Sequence, residues 1–137
     1  MQRGLVTALL LAMAVPAAPG DASKGRRPRL DLRASPRIAF SPVSVILTAE
    51  LTGGDELEEF YCPSLEWEWG DGGRSEQESD CTPFEEGVSK IERRFTAEHM
   101  FRRAGNYTIS ATLRRVGKNI AKADVKVTIR PGFGDPR

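Results

Sequence analysis

Strict two-residue alternation is the feature that most limits what this chain can become. Tyr107, Ile109, Ala111 and Leu113 alternate with Thr108, Ser110, Thr112 and Arg114. That period puts one set on each face of an extended strand, which a helix of 3.6 residues per turn cannot do. The period recurs over 43–52, where Val43, Val45, Leu47, Ala49 and Leu51 share a face, and over 59–69, where Leu65, Trp67 and Trp69 alternate with Glu66 and Glu68. It returns over 89–101, with Ile91, Phe95, Ala97, His99 and Phe101 on one face, and after a turn at Gly117–Asn119 with Ile120, Ala123, Val125, Val127 and Ile129. A first strand over 30–40 and a short polar one over 74–79 make seven. No stretch holds a helical period: 76–80 is polar throughout and 85–90 contains Gly87. Short strands punctuated by Gly, Pro and Asp clusters predict an all-β, two-sheet antiparallel sandwich.

The 137 residues suffice for one domain with a modest core. The first of them read otherwise. Arg3 precedes an apolar run from Leu5 to Val15, followed by the small residues Ala17, Ala18, Gly20 and Ala22. That is the layout of a secretory signal peptide over 1–22. Pro19 disfavours a cut after Ala18, leaving Ala17 or, preferred, Ala22. The apolar run falls short of the roughly 20 residues a spanning helix needs, so no transmembrane segment is expected in the mature chain. A basic lead-in over 23–34 carries Lys24, Arg26, Arg27, Arg29 and Arg33; it reads as a solvated linker or as a tether to anionic envelope polymer or lipid. The sandwich is expected over 35–131 and a polar tail over 132–137.

Export gives the two cysteines a meaning. Cys62 and Cys81 are the only pair, and in an oxidising compartment an even pair predicts a disulfide. Two cysteines and one distant histidine do not make a zinc site, and thiols set among carboxylates lack the electropositive surroundings of a reactive one.

Two segments carry more than a generic strand pattern. One is Trp67-Glu68-Trp69-Gly70-Asp71-Gly72-Gly73; the other is His99-Met100-Phe101 followed by Gly105 and Tyr107. In order and separation they resemble the PKD domain, the immunoglobulin-like module named after polycystic kidney disease protein. The resemblance covers roughly residues 35–131 and implies an immunoglobulin-like sandwich in which Trp67, Trp69, Gly70, Asp71, Gly72, His99, Phe101, Gly105 and Tyr107 are structural. Glu68, Trp69 and Phe101 stand where that family more often has aspartate, phenylalanine and tyrosine. Gly70 to Gly72 suit a tight turn needing positive φ and side-chain to backbone bonds. Tyr107 stands where a sandwich uses a tyrosine corner.

His99 is the single histidine, so any acid–base or nucleophilic set would have to be built around it. On the apolar face of its strand it reads as packing, and no catalytic residues and no cofactor are expected. The Gly-rich turn is no phosphate loop, because an acidic strand and not a helix N-terminus follows it. Charge is more informative. From Glu50 to Glu86 thirteen acids stand against Arg74 alone, whereas twelve bases stand against four acids from Gly87 to Arg137. Cross-strand pairing is one explanation, with Glu66 and Glu68 near Arg114, Arg115 or Lys118. A binding surface at Asp55, Glu56, Glu58 and Glu59 is another, and calcium on Asp71, Glu76 and Glu78 a third, although no EF-hand spacing is present. Nothing basic and aromatic-interleaved suggests nucleic acid. Asn106-Tyr107-Thr108 is a glycosylation sequon.

The expected function is that of an exported non-catalytic module contacting protein or carbohydrate at the cell surface or in the periplasm. The alternatives are a structural spacer or subunit of an envelope assembly and a secreted enzyme inhibitor.

Overall fold

The computed structural model describes residues 13–16, 27–54 and 58–133. Most of the segment read as a signal peptide, together with Asp55, Glu56 and the last four residues of the tail, lies outside them. Among the described residues eight strands form: β1 (Arg29–Ser35), β2 (Ile38–Phe40), β3 (Val43–Thr52), β4 (Ser64–Glu68), β5 (Arg74–Gln77), β6 (Arg94–Phe101), β7 (Gly105–Arg115) and β8 (Lys118–Arg130). They build a three-stranded sheet in the order β1-β3-β6 and a five-stranded sheet in the order β2-β8-β7-β4-β5. The alternating apolar sets meet between the sheets. Val45, Leu47, Ala49, Trp67, Ile109, Ala111 and Leu113 are all fully buried there.

The first expected strand is two strands. β1 pairs antiparallel with β3, whereas β2 pairs parallel with β8, Ile38 opposite Thr128 and Phe40 opposite Arg130. Pro36, between them, has no N–H to continue a ladder, so the chain crosses from one sheet to the other there. The purely antiparallel expectation fails at this one edge.

Within the basic lead-in, residues 29–34 form most of β1, where the strand expected over 30–40 begins. Leu30, Leu32 and Ala34 stand opposite Leu51, Ala49 and Leu47. Leu30 is 5% exposed, so the alternation begins to bury apolar surface earlier than the surrounding charge suggests. At the other end Gly132 is held, its N–H donating to Ser41 Oγ at 3.2 Å.

Three other boundaries move for local reasons. Over 59–63 the chain forms a single 3-10 turn, Glu58–Phe60, and not a strand. Cys62 has φ 52°, outside the extended region, and Pro63 follows it, so pairing begins only at Ser64. β6 begins at Arg94 and not near residue 89. Arg93 is spent closing the turn after β3, its guanidinium donating to the carbonyls of Gly53 and Gly54 at 2.9 and 3.2 Å. The β7–β8 turn is tighter than expected: Val116 and Gly117, with φ 48° and 73°, make it alone.

Candidate functional site

The turn after β4 is built by backbone constraint. Gly70 has φ 80°, and a Cβ there would lie 2.6 Å from the Thr108 carbonyl oxygen of β7. Only glycine fits both demands. Asp71 follows, and its Oδ1 accepts the Gly73 N–H at 2.9 Å, closing the turn on itself. Its Oδ2 lies 2.7 Å from His99 Nε2, which comes from β6 of the opposite sheet. This bond ties the two layers together at the sandwich end.

The rings beneath it form a column. Trp67 and Trp69 stack at 5.2 Å with planes 3° apart, and Trp69 and His99 stack at 4.3 Å and 1°. Phe101 meets His99 edge-on at 4.8 Å and then contacts Tyr107 at 4.5 Å. The indole N–H groups and the tyrosine hydroxyl each find a partner. Trp69 Nε1 donates to Ser75 Oγ at 2.7 Å, Trp67 Nε1 to Gln77 Oε1 at 3.2 Å, and the Tyr107 hydroxyl to the Arg103 carbonyl at 2.7 Å. Such partners are what allow amphipathic rings to sit inside a sandwich.

Burial pushes the Asp71 carboxyl upward, but the His99 hydrogen bond, the Gly73 amide and the charge of His99 outweigh it, and the group rests below its ordinary value. The arrangement holds His99 by a stacked face, an edge and Nε2. That geometry suits a fixed tie more than a base that must swing toward a substrate. Gln77 was not singled out in the sequence. Its Nε2 donates to the Thr96 carbonyl of β6 at 3.3 Å, a second tie between sheets, and a lone glutamine in a polar strand gives no signal of such a role.

The acidic region is made differently. Cys62 and Cys81 are joined, closing a loop over β4 and β5. Tyr61 reinforces the closure: its hydroxyl donates to the Thr82 carbonyl at 2.7 Å and its ring meets Phe84 at 5.3 Å.

Cross-strand pairing accounts for few of the acids. Glu66 pairs with Arg114 at 3.1 Å and Glu68 with Arg74 at 2.7 Å, so the expected β4–β7 bridge forms for Glu66 alone. Glu76, Glu78 and Glu92 have no ion pair among the described residues, and they line one open cleft with Arg94, Phe95 and Thr96. Glu58 and Glu59 lie elsewhere, exposed on the 3-10 turn; Glu59 borders a separate cleft with Phe60, Arg115 and Lys118. The calcium set does not assemble: no cluster of three or more His, Cys, Asp or Glu suited to a metal exists among the described residues. Asp71 is turned to His99 instead. Asn106 is exposed on β7, its Oδ1 accepting from Thr128 Oγ1.

The architecture defines an immunoglobulin-like sandwich. Its fold is similar to that of the PKD domain of an M14-like peptidase from Thermoplasmatales archaeon SCGC AB-540-F20, which superposes with a TM-score of 0.54 at 17% identity, covering 77% of this chain and 96% of that one. BslA, a bacterial hydrophobin, is a more distant likeness, with a TM-score of 0.41, 13% identity and coverage of 75% and 99%. No family model and no curated protein matches the chain. Among the described residues no helix is long and apolar enough to cross a membrane.

Proposed function

We propose that the protein is an exported, non-catalytic PKD-like module that contacts protein or carbohydrate at the cell surface or in the periplasm through its acidic cleft. The observation that carries this reading is that Glu76, Glu78 and Glu92 line one cleft and make no ion pair among the described residues, the cleft's Arg94 being paired with Glu50. Unpaired like charges held together by the fold raise the local potential and favour a basic counterpart. The disulfide supports an oxidising compartment, and the signal-peptide layout supports export. The ring column supports the non-catalytic part, since the one histidine is already engaged.

The test is recovery of partners from envelope extract on immobilised protein, repeated with Glu76→Gln/Glu78→Gln/Glu92→Gln. Loss of the recovered species with an unchanged melting temperature is the expected result. Identical recovery from both would remove the cleft from the function.

A further inference from the structure

The outer face of the five-stranded sheet has its own charge pattern. On β8, Lys122, Asp124, Lys126, Thr128 and Arg130 alternate with the inward residues Val127 and Ile129, which are 1% and 2% exposed. The three cations are exposed and make no ion pair among the described residues. At about 3.3 Å per residue they recur at roughly 13 Å and together span roughly 26 Å. Asp124 interrupts them, and its Oδ1 accepts from Ser110 Oγ of β7.

The neighbours of this row are hydrogen-bonding side chains. On β7, Thr112, Thr108 and Asn106 stand opposite Lys122, Lys126 and Thr128, while Ser110, buried and bonded to Asp124, stands opposite that carboxylate; one strand further, Glu66 and Glu68 of β4 stand opposite Thr112 and Ser110. On the other side, Phe40 of β2 is in register with Arg130 and 64% exposed. The face is therefore a straight track of spaced cations flanked by hydroxyl and amide groups, ending in an open aromatic ring.

We propose that this face binds a linear acidic polysaccharide in which charged and neutral sugars alternate. Spaced charges suit cations set apart by a carboxylate, whereas a continuous polyanion would bring its own charge against Asp124. Hydroxyl and amide side chains answer sugar hydroxyls, and an exposed ring offers an apolar surface to the C–H face of a sugar. An anionic bilayer would use the lysines but neither the threonine row nor Phe40.

The inference extends the non-catalytic binding reading to a second face, and the two separate in experiment. Hyaluronan decasaccharide, whose charge falls on alternate sugars, is the probe, measured by calorimetry against heparin, neutral dextran and phosphatidylglycerol vesicles. Hyaluronan is expected to bind and to weaken as salt rises from about 50 to about 300 mM. Lys122→Gln/Lys126→Gln is expected to weaken binding about ten-fold or more at an unchanged melting temperature, and Lys90→Gln, in the segment before β6, to leave it unchanged. Glu76→Gln/Glu78→Gln/Glu92→Gln should leave hyaluronan binding intact, so failure of the acidic cleft and failure of this face give different results. Equal binding by the double lysine variant, equal binding of dextran, or binding of heparin or vesicles without hyaluronan would each overturn the proposal.

Discussion

The Gly-Asp-Gly turn and the acidic segment from Glu78 to Glu92 flank β5 at its two ends, yet they are held by different means. The turn is over-determined: a glycine pressed against the Thr108 carbonyl, a carboxylate shared between Gly73 and His99, and four rings in contact beneath. The segment has no strand; it is held by one turn closed by Glu85 and Ser89, by the disulfide and Tyr61, and by Ile91, which is buried in the core. The contrast separates two tasks. Residues that resemble the PKD motif are consumed in fixing shape, and the segment with fewer such contacts carries Glu78 and Glu92, two of the three unpaired acids of the cleft.

The largest expected effect comes from breaking the over-determined end. Trp69→Ala removes the ring between Trp67 and His99 and should cost about 3 to 5 kcal/mol in denaturant unfolding. A loss under about 1 kcal/mol would mean that the column is not what joins the layers at this end.

Cys62→Ala/Cys81→Ala should come next, at about 3 kcal/mol for a loop of this size. Hydrogen exchange sharpens the comparison: protection should fall in 78–92 and persist around Trp69. Equal loss in both would show that the two regions open as one unit.

Asp71→Asn should be the smallest, about 1 to 2 kcal/mol near neutral pH, the value of a partly exposed charge-assisted hydrogen bond. Its signature is in the pH profile. The folded carboxyl titrates below its unfolded counterpart, so its contribution is complete above about pH 4 and lost as pH falls through the lower folded value. The asparagine variant should flatten that acid limb of a melting-temperature curve. A parallel acid limb would exclude Asp71 as its source.

Much of the fold was legible because burial on one face writes itself into a strand at every second residue; β3, β4, β7 and β8 show this best. What escaped depended on partners remote in sequence. Nothing around Pro36 says that the strand resumes beside β8, about ninety residues on, and nothing in Arg93 says that its guanidinium closes a turn on the far side of β3. The cysteine pair was legible from number and compartment. The cleft at Glu76, Glu78 and Glu92 was not, because sequence displays an excess of acid without saying which acids the fold leaves unpaired.

The length of β8 sets a distance. Pro28 shares a cleft with Val116 and Lys118, so the chain comes into the sandwich beside the tip of the β7–β8 hairpin. It leaves after Arg130, at the opposite end of a thirteen-residue strand, about 40 Å away. The two connections thus lie at opposite ends of β8. Anything joined beyond Pro131 is held one strand-length from anything joined before Pro28, with both charged surfaces displayed along the way.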